Sequence, residues 1–337
     1  MSDVPGLDLT RLTAWWPDHV GPLSGDLRAT LIAGGKSNLT YETTDGESTW
    51  IVRRPPLGHV LATAHDMARE HRVMTALRET DVPVPATYAL CQDDAVIGAP
   101  FYVMERVVGT PYRRADELAP LGPERVAAIT TRLVDTLAAL HHVDPASVGL
   151  SDFGRAEGFL ARQVARWKKQ LDASHTRDLP AADELHARLE ASVPPESAPG
   201  IVHGDYRLDN VLIDEQDRLV AVLDWEMATL GDPLTDLALM LLYQRLGQSA
   251  GALVSDVAAA PGYLSEEQIL QRYAEGGGRD LTHFGFYLGL AAFKLAAILE
   301  GIHYRYLHGQ TVGGGFDRIG EAIHPLLAAG LDALKEE

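Results

Sequence analysis

The sequence predicts an α+β protein with a small β-rich amino-terminal lobe over residues 1–107 and a larger, mainly helical lobe over residues 108–337. Two observations support this division. Short runs of β-branched and aromatic residues bounded by Gly, Asp or Pro dominate before Val107, whereas long stretches with helical periodicity dominate after Gly109. A chain of 337 residues is also long enough for two hydrophobic cores. We expect a hinge near residues 104–109.

The amino-terminal elements follow from local patterns. A helix is predicted over about residues 62–79, because apolar residues such as Met67 and Met74 recur on one side of it. Pro83 and Pro85 end that pattern. Strands are predicted around it at 31–32, 39–43, 50–53 and 101–104.

The second lobe combines helices with one hairpin. Two apolar runs, 211–213 and 219–223, flank the polar turn 214–218, which predicts an antiparallel pair. Helical periodicity covers the approximate ranges 123–142, 159–171, 180–191, 233–246, 266–275, 282–307 and 318–334.

The charge balance argues against some classes of partner. The chain has 29 basic and 47 acidic residues, a formal net charge of −18. Nucleic acids and anionic membranes favour a basic surface, so we expect neither as the main partner. A nucleotide remains compatible, because Mg²⁺ and a few placed cations can reverse the local field. The oligomeric state is not predicted.

Cysteine usage and apolar runs predict a cytoplasmic protein. Cys91 is the single cysteine, so no intramolecular disulfide can form. The start at Met1 has no basic stretch leading into an apolar one, which predicts no signal peptide. The longest apolar stretch, 286–299, is short and interrupted by Lys294, so we expect no membrane span.

The segment from His203 to Asn210, followed by Asp224, has the residue types of a phosphoryl-transfer site. Asn210 comes five residues after Asp205, and Asp224 comes fourteen residues after Asn210. The predicted hairpin places Asn210 and Asp224 at the same end of its strands, and oxygen ligands suit Mg²⁺. The alternative is that these carboxylates are ordinary turn residues.

These residues resemble the catalytic-loop motif and the following metal-binding aspartate of the aminoglycoside phosphotransferase and choline kinase superfamily. The resemblance implies a bilobal, protein-kinase-like fold. It also implies that Asp205 is the catalytic aspartate that hydrogen-bonds the acceptor hydroxyl, and that Asn210 and Asp224 are the Mg²⁺ ligands.

Three neighbouring residues gain roles from the same resemblance. His203 resembles the histidine that braces the catalytic loop. Arg207 stands where Ser/Thr protein kinases have a lysine facing the γ-phosphate. Asp236 resembles the helix aspartate that holds the loop backbone.

The nucleotide-covering turn is predicted between the first two strands. It comprises Gly34, Gly35, Ser37 and Asn38, whose backbone N–H groups are expected to cover phosphates. A Walker A loop is excluded, because Thr30 occupies the position that requires its first glycine. A plain hairpin turn is the alternative for these glycines.

Further nucleotide contacts are expected on the strands and helix of the first lobe. Kinases pair a strand lysine with a helix glutamate, and here Arg53 and Glu70 stand at those positions. Arg53 departs from the usual lysine, although it can hold phosphate oxygens. Surface charges at Arg53 and Arg54 are the alternative. The resemblance also implies that adenine binds near Met104, Glu105 and Val107.

The residues and the resemblance together predict an ATP- and Mg²⁺-dependent O-phosphotransferase acting on a small-molecule hydroxyl. The segments 37–41 and 53–56 resemble the branch that also occurs fused to acyl-CoA dehydrogenases. Hydroxy acids, CoA esters, amino alcohols and aminoglycosides stay open as acceptors. A protein kinase is disfavoured, because no glycine follows Asp224-Trp225. A non-catalytic nucleotide-binding or regulatory protein and a metal-dependent hydrolase remain as alternatives.

Overall fold

The strands lie in both halves of the chain. The computed structural model describes residues 4–32, 38–57, 65–174, 176–195, 197–248, 255–277, 279–311 and 316–335. The strands found in these ranges are β1 (Arg28–Leu31), β2 (Leu39–Thr44), β3 (Thr49–Arg54), β4 (Thr87–Cys91), β5 (Phe101–Glu105), β6 (Gly200–Val202), β7 (Val211–Ile213), β8 (Leu219–Val222) and β9 (Thr229–Gly231).

The longer helices lie mostly in the second half. The α-helices of the described ranges are α1 (Leu9–Trp15), α2 (Met67–Leu77), α3 (Asp94–Ile97), α4 (Ala115–Leu118), α5 (Pro123–His142), α6 (Phe159–Ser174), α7 (Pro180–Ala191), α8 (Leu234–Gly247), α9 (Glu266–Gly277), α10 (Phe284–Leu307) and α11 (Ile323–Ala333).

The residues group into two compact units. Unit 1 contains Met1–Thr110 and Val211–Ala228, and unit 2 contains Pro111–Asn210 and Thr229–Glu337. The division expected from the sequence differs in two places: residues 108–110 and the segment 211–228 group with the first unit. The chain therefore returns to unit 1 for the β7–β8 hairpin before it enters α8.

Unit 1 is built on a five-stranded sheet with strand order β1-β2-β3-β5-β4, in which neighbouring strands are antiparallel. The side chain of Asp66 accepts a hydrogen bond from Arg69 N and begins α2. One buried apolar cluster of this unit joins residues of α1 and of the sheet, and Trp16, Tyr41 and Phe101 are its largest fully buried members.

The β7–β8 hairpin is tied to the chain that follows β5. Thr110 and Ile213 exchange backbone hydrogen bonds of 2.8 and 3.1 Å. A Cβ atom on Gly109 would lie 2.8 Å from the Cβ of Leu212, so a larger residue does not fit there. In the turn, the Asp214 carboxylate accepts hydrogen bonds from the backbone and side chain of Arg218. The hairpin predicted from the sequence is present, with Val211 opposite Val222.

Unit 2 is mainly helical. The central helix α10 packs against α6, α8 and α11. Its length and composition would allow a membrane span, but 72% of its most apolar window is buried within the protein, which is typical of a core helix. The short strands β6 and β9 pair antiparallel and precede the loop 203–210 and α8, respectively.

Most of the predicted elements are present, with bounds that differ by a few residues. The expectation of one strand pair in the second half was wrong, because β6 and β9 form another. Each has three residues and its partner lies far along the chain, so neither has a local signal. The strand β4 and the short helices α1, α3 and α4 are further additions.

Candidate active site

The loop after β6 is held by a carboxylate of α8. Asp236 Oδ2 accepts a hydrogen bond from the backbone N–H of His203 at 2.6 Å, and its Oδ1 accepts one from Gly204 N–H at 2.7 Å. Gly204 has φ of 90°, a backbone conformation that favours glycine. The role expected for Asp236 is therefore matched by two hydrogen bonds to the loop backbone.

Asp236 is itself fixed by buried neighbours in unit 2. His141 Nε2 lies 3.5 Å from Asp236 Oδ2, and His141 Nδ1 lies 2.7 Å from the Tyr273 hydroxyl. Burial acts to raise the pKa of Asp236, but the hydrogen bond and charge of His141 lower it below its ordinary value. Asp236 thus remains an anionic acceptor for the loop N–H groups.

Asp205 lies within hydrogen-bonding or ion-pairing distance of three other residues predicted from the sequence. Asn210 Nδ2 donates to Asp205 Oδ2 at 3.0 Å and to the Asp205 carbonyl at 2.8 Å. Arg207 Nε lies 3.4 Å from Asp205 Oδ2, and Arg207 Nη2 lies 2.9 Å from Asp209. The fully buried His203 accepts a hydrogen bond from Asp205 N at its Nδ1, at 3.2 Å. Unit 2 therefore brings these predicted residues together.

The structure also adds two residues that the sequence did not identify. The Tyr243 hydroxyl of α8 lies 3.1 Å from Asp205 Oδ1. Lys294 of α10 donates to the carbonyl of Gly204 at 2.7 Å. Burial lowers the pKa of Lys294, although Asp205 and Asp236 act to raise it. In the sequence, Lys294 is visible only as an interruption of an apolar run.

Arg53 connects two carboxylates in unit 1. Its Nε lies 3.0 Å from Glu70 Oε2, and its Nη2 hydrogen-bonds Asp224 Oδ1. The Arg53 side chain is 13% exposed and Arg54 is 5% exposed, so the surface-charge alternative is wrong for both. Arg53 makes the ion pair with the helix glutamate that its position predicts.

Glu70 is buried within this network. The Tyr102 hydroxyl donates to Glu70 Oε2 at 2.9 Å. Burial raises the pKa of Glu70 to about 7, against the lowering effects of Arg53 and Tyr102. The protonation of this carboxyl is therefore sensitive to pH near neutrality.

Asn38 links the end of the predicted phosphate-covering turn to α2. Its Nδ2 lies 2.9 Å from Glu70 Oε1 and 3.2 Å from Glu226 Oε2, while His65 Nδ1 lies 2.8 Å from its Oδ1. Glu226 and His65 were not predicted as site residues. The other predicted members of this turn, Gly34, Gly35 and Ser37, lie outside the described residues.

The remaining predicted residues of unit 1 lie at the ends of strands. Asp224 follows β8 in the left-handed conformation, with φ of 65° and ψ of 58°, which is unusual for a residue other than glycine. Met104 is buried, Val107 is partly buried, and Glu105 is exposed at the end of β5. The backbone N–H of Glu105 donates to the Ala86 carbonyl at 2.7 Å.

Each unit thus contains one part of the expected chemistry. In unit 2, a carboxylate with an arginine and an amide beside it can orient a hydroxyl. In unit 1, a buried arginine between two carboxylates can interact with phosphate oxygens.

The chain is similar to known proteins over most of its length. The sequence profile of the phosphotransferase enzyme family (APH) matches residues 28–275. Acyl-CoA dehydrogenase family member 11 of Rattus norvegicus is 34% identical over 334 residues, which cover 96% of this chain and 43% of the rat protein. The chain therefore spans less than half the length of this curated relative.

Solved structures of phosphotransferases have a similar fold. A crystal structure from Ralstonia eutropha, of a protein provisionally called an aminoglycoside phosphotransferase, has 35% identity and a TM-score of 0.86 over 98% of each chain. A thermostable mutant of the aminoglycoside phosphotransferase APH(4)-Ia, in complex with AMP-PNP and hygromycin B, is 16% identical with a TM-score of 0.63, covering 95% of this chain and 97% of that one.

These similarities confirm the family resemblance, including the branch that occurs fused to acyl-CoA dehydrogenases. They also confirm the predicted α+β, protein-kinase-like bilobal fold. The chain belongs to the phosphotransferase enzyme family.

Proposed function

We propose that this protein transfers the γ-phosphoryl group of ATP to a hydroxyl group of a small molecule, in an Mg²⁺-dependent reaction. The arrangement around Asp205 carries the proposal. Asn210 and Arg207 hold its carboxylate, and Asp236 holds the backbone of the same loop at 2.6 and 2.7 Å. A carboxylate fixed in this way suits the alignment of an acceptor hydroxyl for in-line attack.

Asp205 would accept a hydrogen bond from the acceptor hydroxyl and then its proton. Arg207 would stabilise negative charge that develops on the transferred phosphoryl group. Both roles depend on the position of these side chains in the loop.

Asn210 and Asp224 are the proposed metal ligands. The hydrogen bonds of Asn210 to Asp205 use its amide nitrogen, which leaves the amide oxygen for a cation. An amide and a carboxylate oxygen fit the preference of Mg²⁺ for hard oxygen ligands, and the bound ion would neutralise phosphate charge.

The proposed nucleotide contacts lie in unit 1. Arg53, held by Glu70, would contact the α- and β-phosphates. The turn at Gly34, Gly35, Ser37 and Asn38 would cover the phosphates, and the segment with Met104, Glu105 and Val107 would receive adenine. The APH(4)-Ia structure, which holds AMP-PNP with hygromycin B, supports a nucleotide together with a small-molecule acceptor.

The acceptor class is open among hydroxy acids, CoA esters, amino alcohols and aminoglycosides. The test is a screen of hydroxylated metabolites for loss of a compound that depends on both ATP and the protein. We expect one class to gain a phosphate group in the presence of Mg²⁺, and chelation of the metal to stop the reaction.

Asp205→Ala provides the decisive variant. We expect phosphoryl transfer to fall by at least about 10³-fold, because positioning and proton acceptance are lost together. ATP affinity should change by less than about threefold, since ATP is proposed to contact other residues. Asp332→Asn, at an exposed carboxylate of α11, serves as the control. Undiminished transfer in Asp205→Ala would contradict the proposal.

Arg53 in place of the usual lysine favours a second candidate, a regulatory protein that binds ATP without transferring phosphate. Isothermal titration with Mg²⁺-ATP separates the two candidates when it is combined with the screen. Binding without turnover of any acceptor would favour the regulator. The 3.0 Å ion pair between Arg53 and Glu70 supports the phosphotransferase instead. Active kinases require an ion pair between a strand cation and a helix glutamate at these positions.

A further inference from the structure

Tyr243 lies beside the catalytic loop of unit 2 without belonging to it. It is on α8, and it is thirty-eight residues beyond Asp205 in the chain. Its hydroxyl lies 3.1 Å from Asp205 Oδ1. Burial, together with the negative charge of Asp205, raises the pKa of Tyr243, so the phenol keeps its proton and donates it in this hydrogen bond.

The two oxygens of Asp205 have different partners. Asn210 donates to Oδ2 at 3.0 Å, and Arg207 Nε also lies near Oδ2, at 3.4 Å. Tyr243 provides the protein hydrogen bond to Oδ1. Donors on both oxygens restrict rotation of the carboxylate about its Cβ–Cγ bond more tightly than donors on Oδ2 alone.

The ring of Tyr243 acts on a second residue. The guanidinium carbon of Arg207 lies 4.9 Å from the centre of this ring, at cation–π distance. Arg207 also pairs with Asp205 and, at 2.9 Å, with Asp209. The ring therefore limits the positions that Arg207 can occupy between these two carboxylates.

We propose that Tyr243 is a positioning residue, whose hydroxyl orients Asp205 while its ring orients Arg207, so that one side chain of α8 aligns both groups. This inference rests on the proposed function, in which Asp205 and Arg207 act on the reacting groups. Tyr243 itself acts through them.

The hydroxyl and the ring can be tested separately. Tyr243→Phe removes the hydrogen bond and keeps the ring, whereas Tyr243→Leu removes both. Phosphate release from ATP to water is the assay, because it needs no identified acceptor. We expect kcat to fall about tenfold in Tyr243→Phe and about a hundredfold in Tyr243→Leu. KM for ATP should stay within about twofold, because neither contact is proposed to bind nucleotide.

Tyr287→Phe is the matched control. The Tyr287 hydroxyl donates to Asp232 at 2.7 Å, so this variant also removes a buried tyrosine–carboxylate hydrogen bond from unit 2. Its kcat should stay within about twofold of the wild type, since Asp232 is outside the catalytic loop. An unchanged kcat in Tyr243→Phe, or an equal loss of kcat in Tyr287→Phe, would overturn the proposal.

A spectroscopic measurement is independent of turnover. The Nε–H proton resonance of Arg207 senses the ring current of Tyr243. We expect the same resonance position in wild type and Tyr243→Phe, and a changed position in Tyr243→Leu. An identical position in all three proteins would show that the ring does not hold Arg207. A wild-type protein that releases no phosphate and modifies no acceptor would instead contradict the proposed function, whatever the Arg207 resonance shows.

Discussion

The Arg53 network of unit 1 and the contact between α8 and the loop 203–210 of unit 2 fix their carboxylates by different means. In unit 1 a carboxylate faces a cation, with Arg53 Nε 3.0 Å from Glu70. In unit 2 the carboxylate of Asp236 faces neutral backbone N–H groups of His203 and Gly204, at 2.6 and 2.7 Å. Opposite charges therefore act on Glu70, whereas Asp236 holds the loop backbone through directed hydrogen bonds.

This difference has consequences for substitution. Removal of one charge from the unit 1 network leaves its buried partners without an opposite charge, which strongly destabilises the folded protein. Replacement of the Asp236 carboxylate by an amide keeps the shape of the side chain but puts a donor where an acceptor is needed. The loop that Asp236 holds would therefore lose its position. We therefore expect substitutions in the Arg53 network to act mainly through lost charge. Substitutions at Asp236 should act mainly through the lost position of the loop 203–210.

The largest effect is expected at Arg53. Arg53→Met removes the cation shared by Glu70 and Asp224, and phosphoryl transfer should fall by about 10³-fold, or about 4 kcal/mol. Arg53→Lys keeps the charge and introduces the lysine that kinases usually have at this position, so transfer should remain within about tenfold of the wild type. Steady-state transfer at saturating ATP measures both variants.

Arg54 provides a control on the same strand. It is buried and donates to the backbone carbonyls of Gly6 and Ile97 at 2.5 and 2.9 Å. Both of these acceptors are neutral. Arg54→Met should lower the free energy of unfolding while the folded protein keeps its turnover. Equal losses of turnover in Arg53→Met and Arg54→Met would argue that folding alone is affected.

A smaller effect is expected at Asp236. In Asp236→Asn one of the two loop N–H groups faces an amide NH₂ instead of an oxygen. We expect kcat to fall about a hundredfold, or about 2.7 kcal/mol, because the loop shifts. Single-turnover transfer is the measurement. Asp232→Asn, which changes a buried carboxylate that contacts Ser197 and Tyr287, should leave kcat nearly unchanged.

The sequence predicted the parts of the site whose signals are local. The hairpin was visible because two apolar runs flank a polar turn, and Val211 and Val222 do pair. Asp205 and Asn210 could be recognised because a carboxylate and an amide five residues apart in one loop are typical of a phosphoryl-transfer site. The Arg53–Glu70 pair was inferred from position on a strand and a helix, and the side chains lie 3.0 Å apart.

The missed residues have partners that are distant in the chain. Tyr243 lies within the apolar pattern of α8, where an aromatic residue is typical of a core. Lys294 interrupts an apolar helix, but its acceptor, the Gly204 carbonyl, is ninety residues away. No local pattern reports such contacts. The grouping of the 211–228 hairpin with unit 1 also depends on tertiary contacts.

The smallest predicted effect concerns the pH dependence of unit 1. Burial raises the pKa of Glu70 to about 7, from an ordinary value of 4.5. A carboxyl whose pKa is raised on folding binds its proton more tightly in the folded state. It therefore contributes stability below about pH 4.5, and this contribution is lost as the pH rises through about 7.

Glu70→Gln isolates this contribution, because glutamine does not titrate. Between pH 5 and pH 8 the wild type should lose roughly 2 kcal/mol of unfolding free energy relative to the variant. Urea unfolding of both proteins at the two pH values measures the difference, and the other carboxyls cancel in the comparison. A difference that does not change with pH would mean that Arg53 keeps Glu70 ionised throughout. The ion pair would then outweigh burial, and unit 1 would be held by charge alone.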